Sequence, residues 1–266
     1  MEARTQHGSP RRGRDVLLLL HALWRGVKVV GVFFVAVVRV IVTRPKTRQQ
    51  RAAWLTQTCA GLLRAIDAHV TPHGTVPTKG AVISNHLSFL DILVQSSLRP
   101  CVFVSNAGVR RLPLLGWMSM MAGTVYVERG AGGSAETAAR TMAKAYRDGL
   151  PIVFFPEGTT GDGNGIAPFK SGLLAQTLEA EEPVTPGQIR YEVSQRDLAA
   201  GLTPRYALYW QEQTLLQLIG RLLRMHRLEV FVHFGEPIAF TPEAYADRKI
   251  AAVEAREAVV ALSARP

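Results

Sequence analysis

Cysteine is scarce in this chain. Of 266 residues two are cysteine, Cys59 and Cys101, in no C-x-x-C pair and beside no histidine cluster. That spacing implies neither a thiolate zinc site nor a disulfide framework, and fits a reducing compartment. Other signatures are missing too. No Gly-Lys-Ser/Thr follows the Gly-rich stretch "PEGTTGDGNG", so it is not a P-loop, and Leu173 stands where an EF-hand needs its twelfth-position Glu. No G-x-S-x-G elbow occurs, which argues against that class of serine hydrolase. No period suggests a repeat protein. Acidic residues are nearly absent from the first 51 positions, which hold only Glu2 and Asp15 against eleven Lys and Arg.

That last scarcity places the charge. The whole chain carries +10, and residues 1–51 account for +9 of it, leaving +1 for residues 52–266. A nucleic-acid enzyme spreads its basic residues around a folded groove. A basic segment joined to apolar sequence points instead to anionic lipid, so no nucleic-acid partner is expected.

The apolar sequence is "DVLLLLHALWRGVKVVGVFFVAVVRVIVTRP". Its uncharged runs, Val16–Trp24 and Val29–Val38, fall short of the ~20 residues of a simple spanning helix. Val16–Val42 as a whole is long enough, but Arg25 and Lys28 lie near its middle, where each costs roughly 2.5–3.5 kcal/mol. A signal peptide would need a small-residue cleavage site that the segment lacks. A buried strand pair and a true span remain as alternatives. The favoured expectation is a helix or helical hairpin lying in one leaflet on the cytoplasmic side, with Arg and Lys snorkelling. Residues 1–46 then form a membrane-association segment and 47–266 a second, globular unit.

Pro45 ends the first segment. Periodicity predicts a helix over 48–68, with Trp54, Leu55, Leu62, Leu63 and Ile66 on one side, followed by the loop "TPHGTVPTKG". Beyond it, short apolar runs read as strands at 81–84, 101–105, 124–128, 152–155, 184–191 and 229–234. Between and after them, helices are predicted at 88–98, 114–121, 134–148, 171–179, 211–225 and 242–262. Together these give an α/β fold, a mixed and mostly parallel sheet flanked by helices on both faces. Functional groups in such folds collect beyond strand ends. Three segments obey that rule: "ISNHLSFLD" after the first strand, "VYVERG" with Arg129 after the third, and "VFFPEGTTGDGNG" with Glu157 after the fourth.

In their order and spacing these segments resemble the glycerolipid, or lysophospholipid, acyltransferases of the bacterial PlsC type. Asn85, His86 and Asp91 meet the family's Asn-His-x4-Asp block, "TVYVER" its strand ending in Arg, and Phe155 to Thr159 its Phe-Pro-Glu-Gly-Thr block. "PVTPGQIRY" fits a looser fourth block. The resemblance covers about residues 75–195. It implies transfer of an acyl group from acyl-CoA or acyl carrier protein to a lipid hydroxyl, with no metal and no further cofactor. The first acceptor implied is 1-acylglycerol-3-phosphate, giving phosphatidic acid. The alternatives are another lysolipid such as lyso-ornithine lipid, or a non-catalytic lipid-binding member of the fold.

A hydroxyl is a poor nucleophile near neutral pH, so a base must take its proton as the C–O bond forms. The resemblance assigns that base to His86, with Asp91 fixing its tautomer. Residues five apart lie ~140° around an ideal helix. His86 is therefore expected in the turn before the helix and Asp91 in its first turns, with Ser88 as N-cap. Arg129, Glu157, Gly158, Thr159 and Thr160 are the expected acceptor contacts, with Arg as a bidentate fork and the loop supplying N–H groups. Two positions depart from the family's habit: Thr160 stands where many members carry Arg, and Asn106 where Lys is common. "FPEGTTGDGN" is closer to members similar to lyso-ornithine-lipid acyltransferases.

Overall fold

A computed structural model describes residues 10–112, 114–127, 134–209 and 214–264. Along the chain run α1 (Pro10–Thr43), α2 (Arg48–Ala65), β1 (Ala68–His73), β2 (Ala81–Ser84), α3 (Leu90–Leu98), β3 (Val102–Asn106), α4 (Leu115–Met121), β4 (Val125–Val127) and α5 (Ser134–Arg147). They are followed by β5 (Ile152–Phe154), α6 (Ser171–Glu179), β6 (Val184–Val193), α7 (Gln195–Ala199), α8 (Pro204–Ala207), α9 (Leu215–Arg224), β7 (Leu228–Phe234), α10 (Pro242–Ala246) and α11 (Arg248–Leu262). The strands form one sheet in the order β1-β7-β6-β2-β5-β3-β4. The run from β6 to β4 is parallel, β7 is antiparallel to β6, and β1 is parallel to β7.

Strand alternation divides the core into two layers. Val82, Phe103, Ile189 and Val230 face α2 and α3 on one side. Ala81, Ile83, Val102 and Phe154 face α5, α6 and α11 on the other. Both faces are covered, which is why these strands are almost wholly apolar.

Six of the seven strands match the sequence expectation to within a few residues, although Glu128, at the end of the third, lies outside the described residues. The exception is β1, expected as helix end and loop. Asp67 takes a left-handed conformation, φ 55°, and stops α2 short. The chain then adds an edge strand whose outer half is exposed. An edge tolerates Pro72 and the polar residues that hid it. The helix expected over 242–262 is broken at Asp247, whose side chain accepts from Lys249 N–H and caps α11. The short α7 and α8 were not expected.

The N-terminal segment is one continuous helix of 34 residues, not a hairpin. It packs on α2 and on α9, and α2 is buried within the domain. Trp54 donates its ring N–H to the Ala36 carbonyl at 2.9 Å. Arg25, expected to snorkel, is instead 2% exposed and faces the domain. Its guanidinium donates to the carbonyls of Met225 and His226 and lies 3.6 Å from Asp67. The opposite arc of α1 is apolar throughout: fourteen large side chains from Val16 to Val42 are 40–74% exposed.

Candidate active site

The site lies beyond the C-terminal ends of β2 and β5. Strand β2 stops at Ser84, and the next side chain continues its hydrogen bonding. Asn85 is buried, accepts from Ile189 N–H at 2.7 Å and donates to the Ile189 carbonyl at 3.0 Å. The turn so anchored carries His86 and leads into α3, with Asp91 in its first turn. Ser88 acts one position away from a standard cap: its hydroxyl accepts from Leu90 N–H at 3.3 Å.

Asp91 is fully buried and both of its carboxylate oxygens are engaged. One oxygen, Oδ2, accepts from His86 Nδ1 at 2.8 Å and from the backbone N–H groups of Leu87 and Ser88 at 2.6 and 2.9 Å. The other, Oδ1, accepts from the Tyr191 hydroxyl at 2.6 Å. An ionised carboxylate only accepts, so Nδ1 of His86 is the protonated nitrogen, and in the neutral ring this tautomer puts the free lone pair on Nε2. The imidazole is stacked on Phe155, with ring centroids 4.1 Å apart and planes 8° from parallel. That leaves the ring little freedom to turn.

The 155–167 loop grips the same turn by its backbone. Glu157 Oε1 accepts from His86 N–H at 2.7 Å, Glu157 Oε2 accepts from Ala167 N–H at 2.8 Å, and Gly161 N–H donates to the His86 carbonyl at 2.7 Å. Both carboxylate oxygens of Glu157 are thus engaged by the protein. Burial pushes the Glu157 carboxyl up, against the pull of those two N–H groups. Gly158 has φ 71°, a left-handed backbone that favours glycine, and a Cβ there would run into the Lys170 side chain. Outside the loop, Arg205 holds Asn164 and Asp162 at 3.0 and 3.3 Å, and Tyr209 packs against Gly163.

His86 opens onto a cavity of about 570 Å³ between α2, α3, β3 and α4. Leu55, Phe89, Leu93, Phe103 and Met118 make its wall apolar, while Asn106, Thr159 and Thr160 add polar groups. The volume is in the range of ordinary small-molecule sites. His86, Thr159 and Thr160 thus line this cavity, Asp91 and Glu157 hold the His86 turn, and Gly158 lies in the same loop beside Lys170. Arg129 lies outside the described residues. The sequence reading missed Tyr191, a single tyrosine between Arg190 and Glu192 in a strand of mixed character that carries no local signal of its partner. It also missed a second pair of the same kind, His226 with Asp197, whose members are 29 positions apart. Among the described residues no group of three or more His, Cys, Asp or Glu is placed to hold a metal ion.

Comparison with known proteins follows the same lines. A family model described as Acyltransferase matches residues 67–190. The chain is 36% identical over 207 residues to a lyso-ornithine lipid O-acyltransferase of Pseudomonas aeruginosa, covering 77% of this chain and 75% of the relative. It is 30% identical over 195 residues to a 1-acyl-sn-glycerol-3-phosphate acyltransferase of Neisseria gonorrhoeae, covering 71% and 72%. The crystal structure of the acyltransferase PlsC from Thermotoga maritima superposes with a TM-score of 0.64 over 96% of this chain and 99% of that one, at 20% identity, a likeness of fold.

Proposed function

This chain belongs to the acyltransferase family that includes lysophospholipid and lyso-ornithine lipid acyltransferases, and on that premise we propose that it esterifies the free hydroxyl of a lysolipid from a thioester donor, with His86 as base. The observation that carries this reading is the buried Asp91 holding His86 Nδ1 while the ring lines an apolar cavity. The acceptor hydroxyl attacks the thioester carbonyl and its proton passes to Nε2. Asp91 stabilises the imidazolium so formed. Collapse of the tetrahedral intermediate breaks the C–S bond, and the proton on Nε2 goes to the leaving thiolate. The apolar wall suits an acyl chain and keeps water from the thioester.

Two acceptors are candidates, 1-acylglycerol-3-phosphate and lyso-ornithine lipid. Asn106 and Thr160 in the cavity wall favour the second, because uncharged side chains stand there where a phosphate group is best met by cations. Glu157 acts in this scheme by holding the His86 turn, and Thr159 and Thr160, which line the cavity, contact the acceptor with Gly158 shaping their loop. Purified protein in detergent, given acyl-CoA or acyl carrier protein and a panel of lysolipids, tests the reading. Acylation of lyso-ornithine lipid in preference to lysophosphatidate is expected. Preference for lysophosphatidate reverses the acceptor assignment, and no transfer to any lysolipid rejects the enzyme reading in favour of lipid binding.

The membrane supplies such an acceptor, and α1 is the proposed attachment. By length and composition Val16–Thr43 suffices to cross a bilayer. Both its halves pack on the globular part, however: Arg25 on the residues joining α9 to β7, and Ala36 on α2. A helix held along its length in this way is suited to lie in one leaflet with its apolar arc in the acyl chains. Arg39, Arg44 and Lys46 then meet head groups on the cytoplasmic side, each adding ~1 kcal/mol at an anionic surface.

A further inference from the structure

We infer that Tyr191 is a positioning residue of this reaction, its hydroxyl fixing the second oxygen of Asp91 and so limiting how tightly the pair holds a proton. The inference rests on the assignment of His86 as base. Among the described residues Tyr191 is the one donor within hydrogen-bond distance of Asp91 Oδ1, at 2.6 Å. Asp91 is 0% exposed, so water has no access to replace it. The placement is built into the strand. The Asn85 side chain ties the Ile189 backbone to the His86 turn through two hydrogen bonds, and strand alternation puts Tyr191 on the same face two residues later. Burial, then the Asp91 charge, push the Tyr191 phenol well above its usual range, so it stays protonated and donates.

The other ionisable groups around the pair do other work. Glu157 accepts from the His86 backbone N–H. Tyr209 stands 6.4 Å from Tyr191 between ring centroids, its phenol also pushed up by burial and by Asp91. Cys59, in the same cavity wall, is pushed up to about 12 by burial and remains a thiol. Lys170 lies over Gly158.

A donor on Oδ1 spreads the carboxylate charge. Without it, Asp91 holds the His86 imidazolium more strongly or takes up a proton itself. In either case the pair loses its working, deprotonated form at a higher pH. The test is the pH profile of kcat/KM in detergent for Tyr191→Phe, for a protein with 3-fluorotyrosine at position 191, for Tyr146→Phe and for His86→Ala. Tyr146→Phe removes a hydroxyl from a different partner, Thr177 at 3.2 Å. Tyr191→Phe is expected to move the acid limb up by about 0.5–1 pH unit, with rates recovering at high pH and acceptor KM within about twofold. The fluorinated side chain keeps the shape, donates more strongly and moves the limb down. Tyr146→Phe leaves it in place. An unmoved limb in both position-191 proteins, with His86→Ala inactive, overturns the role of Tyr191. An active His86→Ala overturns the base assignment itself, whatever Tyr191 does.

Discussion

Among the described residues two histidines hold an aspartate through Nδ1 at almost the same distance, 2.8 Å for His86 with Asp91 and 2.9 Å for His226 with Asp197. Burial does not separate them. Both aspartates are at most 1% exposed, and the histidine side chains are 17% and 25% exposed. Both carboxylates also collect backbone N–H groups, Leu87 and Ser88 in one case and His226 in the other. The surroundings differ. His86 stacks on Phe155, is gripped by the 155–167 loop and lines an apolar cavity. His226 stacks on His21 of α1, 5.3 Å away, beside the carbonyls that receive Arg25. A His–Asp pair can thus be a clamp as well as a base. In this chain one copy stacks against the N-terminal helix and the other lines the apolar cavity, and the proposed function gives them those two roles.

The sharpest way to break this contrast is to change the two aspartates in the same manner. Asp91→Asn is expected to lower kcat by about 10²–10⁴-fold, because the amide offers His86 the wrong tautomer. Asp197→Asn is expected to leave kcat within about threefold in detergent. Comparable losses in steady-state assays would erase the distinction.

Stability should report the reverse order. Asp197→Asn mismatches a buried acceptor and should cost about 1–3 kcal/mol in denaturant midpoints. Its pH dependence has a definite sign. Burial pushes the Asp197 carboxyl up, but hydrogen bonds from Ser194 and His226 outweigh it and hold the group below its usual range. A depressed carboxylate contributes stability above its unfolded value near ~3.9 and loses it as pH falls through the lower folded value. The gap between wild type and Asp197→Asn should be full at pH 7 and close only below about pH 4. A gap that widens in acid would contradict the clamp.

A smaller, more local effect is expected at Arg25. Arg25→Met keeps the apolar stem, leaves the His226 carbonyl without its Arg25 donor and leaves the Met225 carbonyl with only the long contact from His21 Nε2 at 3.3 Å. Faster amide exchange in the N-terminal half of α1 is expected, from about 1 kcal/mol of lost hydrogen bonding, with α3 unchanged. Unchanged exchange in α1 would mean that Arg25 does not fasten it.

Much of the fold was legible because buried parallel strands leave continuous apolar runs, and the pairing of His86, Asp91 and Glu157 was legible because they lie in two compact segments after strand ends. Position in the sequence hid the rest. Arg25 reads as a charge inside an apolar run, and only the placement of Met225 and His226 two hundred residues away turns it into an anchor. Glu157 reads as a substrate contact, yet its carboxylate spans the backbone of two separate turns. Tyr191 and the Asp197 clamp depend on tertiary register, which local pattern does not encode.

The most direct test replaces each histidine in turn and measures thioester-dependent acylation of a lysolipid by the purified proteins in one assay. The account predicts that His86→Ala loses activity by at least about 10²-fold while retaining its fold, and that His226→Ala keeps most of it. Equal activity in the two variants, or a greater loss in His226→Ala, would contradict the assignment of the active site.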